Sequence, residues 1–190
     1  MNQKRFDELM VESKGLLGQE PKEWEIFLKI SEAFLKSRNI VTPVVVEIGT
    51  MFNAQKVFYR ELLGAEHIGI DPAGNAEIVG KSQDPAVVEK LQTMLHGRDI
   101  DLLFIDGDHS YAAVKKDCEI YYPMTRHIVA LHDISHPYSP AIPEETMRMW
   151  AEIIAYPSTD VHIAVQRYNF ATTGMSAGRQ MGIGICLKGA

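Results

Sequence analysis

The alternation of short buried strands with amphipathic helices is the feature that most limits how this chain can fold. From Val41 onward, short runs that are apolar except for one acidic residue, such as Val44–Ile48 and Ile100–Ile105, alternate with segments of helical period. Apolar runs without polar alternation are typical of strands that are buried on both faces. Strands and helices that alternate along a chain predict a parallel sheet with helices on both faces. The predicted fold class is therefore α/β.

The first forty residues follow a different pattern, which indicates helices and no strand. Phe6, Trp24 and Phe27 belong to two apolar stripes of helical period. Pro21 suits the first turn of the second helix. We expect residues 1–40 to form a helical cover on the sheet and residues 41–190 to form the α/β core. A length of 190 residues suits a single domain.

Composition and charge exclude several classes of protein. Hydrophobic residues make up 46% of the chain, and 25 acidic against 19 basic residues give a net charge of −6. This charge argues against nucleic acid as the main partner. No apolar run approaches the about 18 residues that span a bilayer. Cys118 and Cys186 show no CxxC spacing and indicate reduced core thiols. We expect a cytoplasmic protein with no membrane partner.

Polar side chains collect where the predicted strands end. Ligands of open parallel sheets bind outside the carboxyl ends of the strands. A purely structural strand end needs only a turn residue, and this chain has acids and histidines there as well. We therefore predict a functional site at this edge of the sheet. The candidate residues are Glu47, Gly49, Asp71, Ser82, Gln83, Asp106, His109, His132 and Asp133.

Gly49 and Asp71 form the first candidate pair. A glycine directly after a buried strand lets the backbone approach a ligand, and the next helix offers unpaired N–H groups at its N-terminus. An acid about 20 residues further along is suited to accept hydrogen bonds from ribose hydroxyls, and Asp71 occupies that place. The alternative is a tight strand-to-helix turn with a solvated aspartate.

Asp106 and Asp133 form the second candidate pair. They follow consecutive predicted strands, and neighbouring parallel strands lie about 4.8 Å apart, so the two carboxylates can converge on one cation. Carboxylates without cysteine suit Mg²⁺. His132 is a candidate nitrogen ligand or general base, and His109 is a second candidate base. The alternative is that the acids cap helices. Adjacent strand residues face opposite ways, so His132 and Asp133 need not face the same side.

Four segments resemble the class I S-adenosylmethionine-dependent methyltransferases. Within that superfamily, they are most similar to the small O-methyltransferase-like group related to the cation-dependent catechol and caffeoyl-CoA enzymes. The segments are VVVEIGT, HIGIDP, DLLFIDGDHSYAAVKKD and ALHDI, and together they cover roughly residues 41–135. The resemblance implies a Rossmann-like fold with a mostly parallel seven-stranded sheet. MGIGICLKG, near the end of the chain, is similar to the antiparallel last strand of that fold.

The resemblance also implies a site for S-adenosylmethionine. Glu47 and Gly49 would approach the amino-acid part of the cofactor, and Asp71 would bind the ribose. Ser82 and Gln83 would lie near the adenine. Asn53 stands in the cofactor-binding turn, where the family normally has glycine, and asparagine tolerates the positive φ that such a turn needs.

For the metal, the resemblance makes Asp106 the first carboxylate ligand and places it beside the cofactor. His132 and Asp133 stand where the relatives have an acidic or amide pair. The predicted metal ligands are thus Asp106, His132 and Asp133, with Mg²⁺ or another divalent cation as the metal.

The leading hypothesis is methyl transfer to an oxygen of a small hydroxylated acceptor, with His109 or His132 as the base. One alternative is a non-catalytic protein that binds S-adenosylmethionine. Another is a metal-dependent phosphoester hydrolase with His136 as a further ligand. An NAD-dependent oxidoreductase is disfavoured because the three-glycine pyrophosphate turn is missing. The exposed side of the N-terminal helices is a candidate homodimer interface.

Overall fold

The computed structural model describes residues 1–135, 145–156, 158–167 and 181–189. The helices are α1 (Gln3–Glu12), α2 (Pro21–Ser37), α3 (Gln55–Leu63), α4 (Pro85–Leu95), α5 (Tyr111–Tyr121) and α6 (Thr146–Ala155). The strands are β1 (Val44–Ile48), β2 (Glu66–Asp71), β3 (Ile78–Val79), β4 (Ile100–Ile105), β5 (Thr125–His132), β6 (Val161–Val165) and β7 (Ile183–Leu187).

The seven strands form one sheet in the order β3-β2-β1-β4-β5-β7-β6. β1 to β5 pair in parallel, and β7 lies antiparallel between β5 and β6. Successive strands are added on one side of β1 up to β3 and then on its other side from β4 onward, so the strand order reverses at β1. This is the kind of switch point where a crevice opens at the carboxyl ends of strands. The predicted Rossmann-like methyltransferase fold is confirmed.

Two apolar layers cover the faces of the sheet. α1, α2 and α3 bury one face around Trp24 and Phe104, whose ring centroids lie 5.6 Å apart. α4, α5 and α6 bury the other face around Leu103 and Trp150. The N-terminal helices therefore pack on the sheet, as their apolar stripes predict, because a helix with one apolar face must bury it against another element.

Helical periodicity also predicts that Val57 and Ile154 face the core, but both are exposed. Val57 of α3 is 37% exposed and Ile154 of α6 is 49% exposed. In α3 the buried face runs through Phe58, Tyr59, Leu62 and Leu63, which leaves Val57 at its margin. In the last turn of α6, only Ile153 packs against the core. Apolar periodicity places a helical face only to within about one residue.

Both cysteines are buried and free, in agreement with the sequence. Cys118 and Cys186 lie in the same apolar layer, against α5 and β7. None of the helices in the described ranges has the length and apolar character needed to cross a membrane.

Candidate functional site

A cavity of about 680 Å³ opens at the carboxyl ends of β1, β2, β4 and β5. Such a volume is typical of sites for small molecules and cofactors. The candidate residues that line it are Gly49, Asp71, Ser82, Gln83, Asp106, His109, His132 and Asp133. Leu16, Met51 and Met181 add apolar surface. The fold therefore brings together residues that are spread over more than half of the chain.

The first wall of the cavity comprises residues 49–51 and 71–73. Backbone N–H groups in this wall donate hydrogen bonds to the carboxylate of Asp71. Asp71 Oδ2 accepts the N–H groups of Thr50 and Met51, both at 2.9 Å, and its Oδ1 accepts the N–H of Ala73 at 2.7 Å. Gly49 has a φ of 83°, and a Cβ added there would lie 2.1 Å from the carbonyl oxygen of Asp106. Only glycine fits this turn.

Asn53 lies in the same turn, but it is not among the residues that line the cavity. Its φ is 56°, and its N–H donates to the carbonyl oxygen of Thr50 at 2.6 Å. Its Nδ2 donates to the carbonyl oxygen of Asn75 at 2.8 Å. Asparagine thus adopts the left-handed conformation that glycine would otherwise supply.

Glu47 is fully buried behind the first wall and does not line the cavity. Its Oε2 lies 2.9 Å from Nε2 of His67, whose ring stacks on Tyr59. Burial raises the pKa of Glu47, although His67 acts in the opposite direction. Its other oxygen, Oε1, has no hydrogen-bond partner among the described residues.

The turn between β3 and α4 places Ser82 and Gln83 at the cavity. Asp117 of α5 holds both side chains, since its Oδ1 accepts from Ser82 Oγ at 2.7 Å and from Gln83 Nε2 at 2.6 Å. The hydroxyl of Tyr121 donates to the Ser82 carbonyl oxygen at 2.6 Å. Burial raises the pKa of Asp117. Asp117 is a positioning residue that the sequence analysis did not identify.

The second wall comprises residues 106–109, His132 and Asp133, and ionisable side chains hold it. Nδ1 of His132 lies 3.1 Å from Asp106 Oδ1 and 3.4 Å from Asp133 Oδ2. Nε2 of His109 lies 3.5 Å from Asp106 Oδ1 and 3.2 Å from Asp133 Oδ2. Two imidazoles therefore bridge the same two carboxylates.

The strained backbone at Asp133 explains how the side chains of the consecutive residues His132 and Asp133 both lie in the second wall. β5 ends at His132, and Asp133 has a φ of 57°. This left-handed conformation interrupts the alternation of a strand, so the side chains of His132 and Asp133 converge. A non-glycine residue in such a conformation is uncommon and is often found at functional sites.

The charges of the second wall shift its pKa values strongly. Burial opposes ionisation of Asp106, but the charge of His132 and hydrogen bonds from both imidazoles outweigh it and lower the pKa to about 2. Burial likewise opposes the charged form of His132, but Asp106 and Asp133 raise its pKa well above 6.5. The hydrogen bond with Asp106 raises the pKa of His109 as well.

Gln19, in the loop between α1 and α2, also reaches the second wall. Its Nε2 donates to Asp106 Oδ2 at 2.8 Å, and its Oε1 accepts from Gln55 Nε2 at 3.1 Å. Gln19 is 1% exposed. The N-terminal segment therefore contributes to the site as well as to the core. A glutamine in a loop carries no motif, so the sequence offered no signal for this contact.

The sequence offers Tyr111, Tyr138 and Tyr168 as further pocket candidates, although scattered tyrosines are usually packing residues. Tyr111 lies outside the cavity lining, and its hydroxyl donates to Glu152 at 2.5 Å. His136, Tyr138 and Tyr168 lie outside the described residues.

Comparison with known proteins assigns the chain to a family. A model of the methyltransferase domain family matches residues 46–141, about half of the chain. The chain belongs to this methyltransferase family. The match covers β1 to β5, which carry most of the cavity. It confirms the predicted class and favours it over a phosphoester hydrolase. No curated protein sequence matches the chain.

Solved methyltransferase structures share the fold of this family member. MycE, from the mycinamycin biosynthetic pathway, was solved with magnesium, SAH (S-adenosylhomocysteine) and mycinamycin VI; it gives a TM-score of 0.59 at 14% identity over 96% of this chain. This chain spans about half of MycE, 54% of its length. An O-methyltransferase from Bacillus cereus, solved with SAH, gives a TM-score of 0.54 at 11% identity over 97% of this chain and 91% of that one. At these identities the likeness is one of fold.

Proposed function

We propose that the protein transfers the methyl group of S-adenosylmethionine to an oxygen of a small hydroxylated acceptor. The observation that carries the proposal is a cavity with two different walls. Asp71 and the turn after β1 form one, and the Asp106 and Asp133 carboxylates form the other. Methyltransferase structures solved with SAH share the fold, which supports the same ligand here.

The first wall and α3 fit the cofactor. A carboxylate offers about four acceptor positions, and the backbone uses three of those of Asp71, which leaves capacity for a ribose hydroxyl. Among the described residues, no side chain caps the N-terminus of α3, so its N–H groups are suited to bind a carboxylate. Gln55 lines the cavity, and its buried Oε1 has no partner in the described part of the chain. It is suited to accept from the ammonium group of the cofactor. When bound, S-adenosylmethionine supplies an electrophilic methyl group.

The second wall fits a divalent cation. Ligand atoms of Asp106, His109 and Asp133 all lie within 4.8 Å of one another. The two carboxylates supply ligands for a hard cation such as Mg²⁺ or Mn²⁺, and the imidazoles of His109 and His132 lie beside them. A cation held there would lower the pKa of the acceptor hydroxyl and orient it.

The two histidines are expected to have different roles. His132 is buried between the carboxylates, which outweigh burial and raise its pKa well above 6.5, so it is suited to carry positive charge and not to accept a proton. His109 is 38% exposed at the side chain and faces the cavity, so an acceptor can reach it. We therefore assign His109 as the residue that takes the proton from the acceptor hydroxyl.

Calorimetric titration with SAH tests the cofactor site. We expect micromolar binding to the unaltered chain and at least tenfold weaker binding to Asp71→Asn, because loss of the charged acceptor removes about 1.5–3 kcal/mol. Asp84→Asn is the matched control: Asp84 caps α4 through the N–H of Ala86 and lies outside the cavity. Unchanged affinity in Asp71→Asn would remove Asp71 from the site.

The reaction is tested by mass spectrometry of methylated products from a panel of phenolic and sugar acceptors. Each acceptor is assayed with EDTA and with Mg²⁺, Mn²⁺ or Zn²⁺. We expect product only with a metal, and loss of that metal effect in Asp106→Asn. Product that is indifferent to EDTA and to Asp106→Asn would keep the cofactor site and reject the cation.

A further inference from the structure

A second group of metal-ligating side chains lies at the far edge of the sheet. Asp160 directly precedes β6, His162 lies within β6, and Cys186 lies in β7 directly opposite His162 in the register. Residues two apart on a strand share a face, so Asp160 and His162 project toward the same side as their cross-strand neighbour. The ligand atoms of all three lie within 4.8 Å of one another. None of the three lines the cavity.

The local contacts keep this group together. Oδ2 of Asp160 lies 3.6 Å from Cys186 Sγ and accepts the hydroxyl of Tyr122 at 3.0 Å, while Oδ1 accepts the N–H of Gly189 at 2.9 Å. The His162 ring packs edge-on against Trp150 with centroids 6.0 Å apart. Cys186 is fully buried, whereas Asp160 and His162 are partly exposed. The group thus has an ordered inner end and an opening to solvent.

The nearest positive charge is directed elsewhere. Nζ of Lys188 donates to the carbonyl oxygens of Tyr122 and Thr125, at 3.1 and 2.5 Å, and lies 4.1 Å from the centroid of the Tyr122 ring. Its charge acts against a second cation nearby, but it makes no ion pair with Asp160. The Asp160 carboxylate stays available on the side that faces His162 and Cys186.

We propose that Asp160, His162 and Cys186 bind a divalent transition metal of the zinc class. One thiolate, one imidazole and one carboxylate form a donor set that zinc accepts, with bonds of about 2.0–2.3 Å. The thiolate disfavours Mg²⁺ and Ca²⁺, which take oxygen ligands. Three protein ligands leave a fourth position for water or for the Tyr122 hydroxyl. The Cys186 thiol loses its proton to solvent as the metal binds.

Such a metal would join the edge strand β6 to β7 and leave the cavity unaltered. It would be distinct from the oxygen-rich group of Asp106 and Asp133, which suits a harder ion. The proposal does not depend on the proposed methyl transfer, because its readouts are metal binding and stability.

Cobalt(II) titration of the full chain without a polyhistidine tag tests this site. The background is Asp106→Asn with Asp133→Asn, which disables the cavity group. We expect one equivalent of Co²⁺ to bind with thiolate-to-cobalt charge-transfer absorption in the near ultraviolet, and one equivalent of Zn²⁺ to displace it. Cys186→Ser should abolish the absorption, and His162→Ala should weaken binding at least tenfold. Cys118→Ser is the matched control, since it removes the other buried cysteine and should leave the spectrum unchanged.

Zinc should also raise the Tm of the background protein and leave that of His162→Ala unchanged, because a ligand that binds only the folded state stabilises it. His162 is partly exposed, so this variant is expected to fold even if Cys186→Ser does not. No cobalt binding, cobalt binding without charge-transfer absorption, or absorption that survives Cys186→Ser would overturn the proposal.

Discussion

The two walls of the cavity are built in different ways. In the first wall, a single carboxylate, Asp71, binds three backbone N–H groups that are close to it in the fold. In the second wall, Asp106 meets side chains from three separate segments: Gln19, His109 and His132. Hydrogen bonds from main-chain N–H groups to one carboxylate hold the first wall, and contacts between polar side chains hold the second.

This difference determines how each wall responds to substitution. A wall made of backbone has few atoms that can move aside, so an added atom must displace the chain itself. A wall made of side chains loses one hydrogen bond when one side chain changes, and the others remain. We therefore expect substitutions that add atoms to the first wall to disrupt folding, and single side-chain changes in the second wall to have graded effects.

Among the variants considered, Gly49→Ala is expected to lose the most stability, and it tests the rigidity of the first wall. The added Cβ would lie 2.1 Å from the carbonyl oxygen of Asp106, at a φ of 83°. Overpacking against backbone and the left-handed conformation together should cost about 4 kcal/mol or more. That is a large part of a typical stability of about 5–15 kcal/mol. Urea denaturation followed by circular dichroism measures the loss.

Gly15→Ala is the matched control for Gly49→Ala. Gly15 has a φ of 82°, and a Cβ added there meets nothing within 4 Å. It should cost only the conformational part, about 1–2 kcal/mol. Equal losses for the two variants would show that crowding against Asp106 has no effect, and would contradict a rigid first wall.

Asp117→Ala is expected to have an intermediate effect. Asp117 is fully buried and accepts hydrogen bonds from Ser82 and Gln83. Its removal should cost about 2–3 kcal/mol of stability, because the buried Ser82 hydroxyl and the partly buried Gln83 amide lose their acceptor. SAH affinity should fall several-fold as the turn that carries Ser82 and Gln83 loosens. Thermal unfolding and calorimetry measure the two effects.

Asp117→Asn keeps an oxygen that accepts hydrogen bonds and removes the negative charge, so it distinguishes the effects of the two. Its side-chain oxygen can still accept a hydrogen bond, so most of the stability and SAH affinity should return. If Asp117→Ala binds SAH as tightly as the unaltered chain, Asp117 does not position the cofactor turn.

The fold was predictable from the sequence because its signals are local. The apolar runs at Val44–Ile48 and Ile100–Ile105 and the amphipathic helices between them each depend on neighbouring residues. The role of Gly49 was predictable for the same reason, because a glycine directly after a strand indicates the tight turn that leads into the next helix. The exposure of Ile154 was missed because apolar periodicity places a helical face only to within about one residue.

The contacts of the second wall were only partly predictable. Its acids and histidines could be found because they follow strands, but Gln19 comes from a distant part of the chain. The convergence of His132 with Asp133 depends on a φ of 57° that strand alternation argued against. Gln19 reaches Asp106 through tertiary packing of the N-terminal helices. Neither contact has a sequence signature.

Gln19→Leu is the smallest and most specific test of the second wall. It removes the donor to Asp106 and the acceptor of Gln55 while it keeps an apolar side chain of similar size in a buried place. We expect a stability loss of about 1–2 kcal/mol, since other side chains still hold Asp106. Gln3→Leu, on the exposed face of α1, should change stability by less than about 0.5 kcal/mol. A double-mutant cycle with Asp106→Asn isolates the contact, and we expect a coupling of about 0.5–3 kcal/mol for groups in one hydrogen-bond network. A coupling near zero would mean that Gln19 serves only as packing, and that the second wall does not extend into the N-terminal segment.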